Sequence, residues 1–128
     1  MEIKLSYQEI SNIIEKYVGY PLSLSYVGPQ TVHVRYKIIG IDLTVEDVEE
    51  SNVDIEYNGI VGIPQIVRGA ILMVKNRPIG KLIEPLDDKR VRLCLRENEK
   101  VRAIFDHVNL ESIRFDELCA FVNVSVKS

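Results

Sequence analysis

The chain of 128 residues contains no tryptophan, two cysteines, two histidines and two methionines. Two cysteines exclude a disulfide scaffold and a four-thiolate zinc site. With only His33 and His107 there is little imidazole chemistry to distribute, and neither has a His or Cys neighbour at metal-ligand spacing. No G-x-S-x-G, Walker A or G-x-G-x-x-G is present. The apolar runs are short and broken by Gly, Pro or Arg, so no segment reads as a bilayer span. The N-terminal MEIKLSYQEI lacks a basic region followed by an apolar one and reads as no secretory leader. These features give a cytoplasmic expectation, with Cys94 and Cys119 as thiols.

What remains is 46% hydrophobic and 27% charged, the composition of a globular chain. Residues 1–128 contain no repeat, linker or low-complexity stretch and read as a single domain. Area scaling gives roughly 6,900 Å² exposed after folding, against roughly 21,000 Å² for the unfolded chain, which is enough burial for a core without staples.

Ser6 and Glu9 have the spacing of a capping box, and Ile10, Ile13, Ile14, Tyr17 and Val18 follow at helical period until Gly19 and Pro21. From Leu22 the period becomes two. Val32, Val34, Tyr36 and Ile38 share one face, then the phase slips at Ile38-Ile39-Gly40 and resumes through Ile41, Leu43 and Val45. A slip beside glycine predicts a β-bulge in one long, curved strand. An acidic loop, Glu46 to Ser51, then leads to a strand with Val53, Ile55 and Tyr57 on its inner face. A helix is expected from Pro64 to Lys75, apolar around most of its circumference and so buried on more than one side. Beyond it come a strand at Val91 to Leu95, a short helix at Val101 to Val108, and two strands joined by a turn at Asp116-Glu117. The first of these two slips phase near Ser112. The expected class is α+β: a bent antiparallel sheet wrapped around a largely buried helix, with an N-terminal amphipathic helix.

Candidate chemistry is sparse. His33 lies on a polar strand face beside Arg35, and the dipeptide Asp106-His107 is not a dyad, because adjacent side chains diverge. Cys94 shares a face with Arg90, Arg92 and Arg96, which would lower a thiol pKa and make it a candidate reactive thiol. Gly59-Ile-Val-Gly62 before a helix reads as a turn rather than an anion site. No cofactor is implied.

Charge is more informative. From Asp42 to Glu56 the chain carries −7, and from Arg68 to Arg102 it carries +5, within a net charge of −3. Charge of this kind usually solvates a surface; beyond that, opposed segments suit docking on an anionic membrane surface or homo-oligomers of acidic against basic faces. An acidic chain without an RNA-binding aromatic motif is not expected to bind nucleic acid.

The C-terminal stretch KVRAIFDHVNLESIRFDELCAFVNVSV, a short helix feeding a strand-turn-strand, resembles bacterial members of the tubular lipid-binding superfamily, relatives of bactericidal/permeability-increasing protein. The expected hairpin from Val32 to Tyr57 before the helix at Ile63 to Val74 is similar to that architecture, in which acyl chains lie between a bent sheet and a long helix. The resemblance implies lining positions Ile66, Val67, Ala70, Ile71 and Val74, faced by Val34, Tyr36, Ile55 and Tyr57. The expected function is a non-enzymatic module binding an apolar ligand, foremost lipid. The alternative is a protein-interaction or self-assembly module with a packed core and no ligand. A small enzyme of cystatin-like fold would need polar groups in its cavity, where these positions supply only Tyr36 and Tyr57.

Overall fold

The computed structural model describes residues 1–59 and 82–127. Strand β1 (Glu2–Ser6) runs directly into helix α1 (Tyr7–Val18). The capping box forms: the Glu9 amide donates to Ser6 Oγ at 3.1 Å, and the Ser6 amide donates to Glu9 Oε1 at 3.0 Å. Gly19, at φ 85°, takes the left-handed conformation that closes the helix, and its amide donates to the Glu15 carbonyl at 2.8 Å. The Tyr7 hydroxyl donates to the Asp116 carbonyl at 2.5 Å, tying the start of α1 to a distant turn.

Six strands form an antiparallel sheet in the order β2-β3-β4-β5-β7-β6. They are β2 (Ser23–Gly28), β3 (Thr31–Tyr36), β4 (Ile39–Glu49), β5 (Asn52–Asn58), β6 (Ile83–Pro85) and β7 (Arg90–Cys94). Register separates the side chains into two faces. One carries apolar rows: Tyr26, Val32, Leu43 and Tyr57, then Val45, Ile55 and Val91, then Val48, Val53, Leu93 and Ile83. The other carries polar rows: Ser25, His33, Asp42 and Asn58, then Thr31, Thr44, Glu56 and Arg90, then Asp47, Asp54, Arg92 and Glu84.

Two sequence expectations are corrected here. The slip at Ile38–Gly40 is not a bulge in one long strand but the two-residue turn Lys37-Ile38 between β3 and β4, with Lys37 at φ 55°. The acidic loop is mostly strand as well: β4 continues to Glu49, and only Glu50-Ser51 turn, with Glu50 at φ 52°. The bulge lies further along, where the register shifts between Val45 and Asp47 and brings Val45 and Val48 onto the same face.

A three-stranded antiparallel sheet, β1-β9-β8, is built from β1, β8 (Val108–Phe115) and β9 (Cys119–Val126). Its register shifts between Leu110 and Ser112, which keeps Leu110 and Ile113 on one face. Asp116 shapes the β8–β9 turn by accepting from the amides of Leu118 and Cys119, each at 2.8 Å. The first strand of the chain is paired to the last: Ile3 opposes Val122, and the Val124 amide donates to the Met1 carbonyl at 2.8 Å.

The two sheets share one core. Val53 of the larger packs with Leu110 and Val124 of the smaller, and Phe105 of helix α2 (Glu99–Phe105) completes the cluster. Val45, Val48, Ile55 and Leu93 surround it from one side, and Val108, Ile113 and Val122 from the other. Main-chain bonds fasten β8 at both ends. The Leu110 amide donates to Glu50 in the β4–β5 turn at 2.7 Å, and the Phe115 amide donates to Pro29 in the β2–β3 turn at 2.8 Å.

The α+β expectation, a single bent sheet around a buried helix, is therefore overturned. More than half of the described residues lie in strands of two antiparallel sheets whose apolar faces meet each other. The expected helix from Pro64 to Lys75, with Ile66, Val67, Ala70, Ile71 and Val74, lies outside the described residues. No described helix is long and apolar enough to cross a membrane.

Candidate functional site

On the polar face, the Lys37-Ile38 turn sets β3 against β4 so that His33 opposes Asp42. His33 Nδ1 lies 2.7 Å from Asp42 Oδ1. The imidazole lies over Gly40, where a Cβ would fall 2.7 Å from both Cε1 and Nε2, so glycine is what gives the ring its space. An open depression of about 370 Å³ adjoins this pair, lined by His33, Gly40, Ile41, Asp42, Asn58 and Gly59. Ser25 occupies the same row across β2, an order that suggests a Ser-His-Asp relay. The relay does not form: the ring leans toward Gly40 on β4, and among the described residues Ser25 makes no hydrogen bond to it. His107 lies apart, in the turn between α2 and β8.

Two bases of the basic segment, Arg90 and Arg92, pair with carboxylates of the acidic one. Arg92 grips Asp54 with both arms of its guanidinium, at 2.8 and 3.2 Å. Arg90 reaches Glu56 across the strand pair at 3.1 Å, Asp87 at 3.1 Å, and Glu46 at 2.7 Å, the last being the extra residue of the β4 bulge. Hydrogen bonds to Glu46 and Asp87 hold the Arg90 proton more firmly than usual. Arg96 turns instead toward Asp106 and the Phe105 carbonyl, at 2.7 and 3.1 Å.

This pairing bears on Cys94, for which a reactive thiol is the lesser of two readings and an ordinary strand side chain the other. Its thiol is pushed up, first by burial and then by the Glu84 carboxylate, whose Oε2 lies 3.8 Å from Sγ. Arg92 draws the pKa down by less, because its charge is already taken by Asp54. Cys94 is thus a subdued thiol, not an activated one. Cys119 is also free, and it is buried. Among the described residues no group of three or more His, Cys, Asp or Glu is placed to hold a metal.

Of the expected lining positions, Val34, Tyr36, Ile55 and Tyr57 do lie on the apolar side of the large sheet. Ile55 packs into the core shared by the two sheets, and Tyr57 is 3% exposed. The other five positions lie outside the described residues. A second depression, about 70 Å³, is lined by Asp47, Glu49, Asn52, Asp54 and Arg92 and is polar. The lipid-binding expectation came from a resemblance to one sheet wrapped around one helix. The described residues pack a sheet against a sheet instead.

Sequence reasoning missed the strand edges. Among the described residues, four strands border the two sheets: β1 and β8 in the smaller, β2 and β6 in the larger. An unpaired edge invites another chain, and charge or proline on the edge discourages it. β1 carries Glu2 and Lys4, β8 carries Glu111 and Arg114, and β6 is three residues long with Glu84 and Pro85. β2, Ser-Leu-Ser-Tyr-Val-Gly, carries neither charge nor proline. Its Ser23 and Ser25 are exposed, and Val27 is 51% exposed. Beside the start of β2, Tyr20 tilts against Tyr36 at 5.4 Å between ring centroids, and Ile38 at the tip of the β3–β4 turn is 97% exposed. The count of edges needs the strand order, which no local pattern supplies. The chain matches no known protein family, no curated protein and no solved structure.

Proposed function

We propose that the protein is an interaction module that takes up an extended protein segment along the edge of β2, acting in the cytoplasm with its cysteines as thiols. The observation that carries this reading is the uncharged, proline-free sequence of β2 at the border of the six-stranded sheet. A strand added there gains main-chain hydrogen bonds, while side chains at alternate positions provide selectivity. The Tyr20–Tyr36 pair stands beside the start of β2, and Ile38 is an exposed apolar residue in the β3–β4 turn. On the polar face, Arg90 and Arg92 already have carboxylate partners in Glu56 and Asp54.

A photo-crosslinking side chain at Val27, introduced in cells, tests the reading. It should give adducts of defined mass that disappear in Ser25→Lys and are absent when the crosslinker is moved to Leu86. Labelling at Leu86 equal to that at Val27, or no adduct at Val27, would refute it.

A further inference from the structure

We infer that the segment β2 receives is the β2 strand of a second copy, paired antiparallel about a two-fold axis. The inference rests on the interaction reading above and names the partner. A two-fold axis sets a strand against itself, so any charge near its centre meets an equal charge opposite. Among the described border strands, β2 is the one with no charge to double.

Its sequence is also self-complementary. In a register centred on Ser25, that residue meets its own copy on the polar face of the sheet, and Ser23 meets Val27. Leu24 and Tyr26, which share the apolar face opposite Val34 and Val32, each meet the other residue type across the axis. Aromatic–aliphatic and Ser–Ser cross-strand pairs are both favourable. The pairing joins two six-stranded sheets into one continuous sheet, with its apolar side uninterrupted across the axis. It also distinguishes this dimer from one held by the acidic and basic segments. Contacts made of main-chain hydrogen bonds and apolar side chains are insensitive to salt, whereas exposed charge contacts are screened.

Sedimentation equilibrium of the purified chain at tens of micromolar, in low and high salt, provides the test. The wild type should be dimeric in both. Ser25→Lys, which places two ammonium groups face to face, should weaken association by roughly tenfold or more while leaving the circular dichroism spectrum unchanged. Should that variant fold poorly, amide exchange on the wild type supplies the second readout: protection of β2 amides should rise with protein concentration. A dimer that dissolves in salt, or one indifferent to Ser25→Lys with β2 amides unprotected, would place the contact elsewhere and overturn the inference. A monomeric wild type whose Val27 crosslinks to a protein of different mass would overturn the self-pairing but leave the interaction reading standing. A monomer that gives no crosslink would end both.

Discussion

At the scale of single residues, the structure turns on a few side chains whose neighbours leave no alternative. Gly40 is one, because the His33 ring occupies the space its Cβ would need. Gly40→Ala should therefore destabilise the fold by about 1–3 kcal/mol, the usual range for overpacking. In a His33→Ala background the same change should cost little, since the obstructing ring is gone; a double-mutant cycle read by urea unfolding gives the coupling. Equal costs in both backgrounds would mean that the ring does not lie there. Asp116 is another. Two backbone amides of the β8–β9 turn hold its carboxyl below the ordinary value of 3.8. Its contribution to stability is thus complete above that value and is lost as pH falls through the lower folded one. Asp116→Asn should be less stable than wild type at neutral pH, and the two urea midpoints should converge by about pH 2. A gap that persists in acid would assign the effect to something other than ionisation.

Elements differ in how far the sequence discloses them. Helix α1 was legible because its signals are local: Ser6 and Glu9 sit three residues apart, and Gly19 stands where the helix must stop. Ser6→Ala should remove the cap and cost about 1 kcal/mol, read as a shift in the thermal midpoint. Little change in that midpoint would mean the box contributes nothing. The β3–β4 hairpin was misread for a reason of parity. A two-residue turn pairs Tyr36 with Ile39, three positions apart, so the inward-facing residues change from even to odd numbers. A bulge produces the same one-step slip. Lys37-Ile38 lacks the Asn-Gly or Asp-Gly that marks such turns, even though Lys37 adopts a positive φ. Reading the slip as a bulge also hid the candidate site, because His33 faces Asp42 only once the chain folds back at Lys37. Where a slip was read inside one strand, near Ser112, the register does shift. The expectation of a sheet around a helix rests on the apolar segment from Pro64 to Lys75, and the missed hairpin leaves that sheet one strand short.

Across the whole molecule, the shared core couples two sheets that exchange no complete strand ladder. Leu110 is placed to report on this, because its side chain sits in the cluster with Val53 while its amide bonds to Glu50. Leu110→Ala should cost about 2–5 kcal/mol and speed amide exchange in both sheets to a similar degree. Faster exchange confined to β8 and β9 would show that the sheets open independently. The assignment of mainly β architecture was out of reach of local pattern for the same reason that the edges were. Strand order and sheet membership are long-range properties, and so is the pairing of Arg90 and Arg92 with Glu46, Glu56 and Asp54 on one sheet face.

The pairing of β1 with β9 has a consequence for how the chain is made. Residues 2–6 find their partners at residues 119–123, so on the ribosome the first strand emerges well before the strand that completes it. At synthesis rates of about 5–20 residues per second, that interval is roughly 6–24 s. During it, Ile3 and Leu5 lack the ladder that later pairs them with Val122 and Ala120, and Glu2 and Lys4 are the charges that separate them from a passing chain. The smaller sheet is therefore a closing step in biogenesis. Folding of the nascent chain should remain incomplete, and protease-sensitive at β1, until β9 has cleared the exit tunnel.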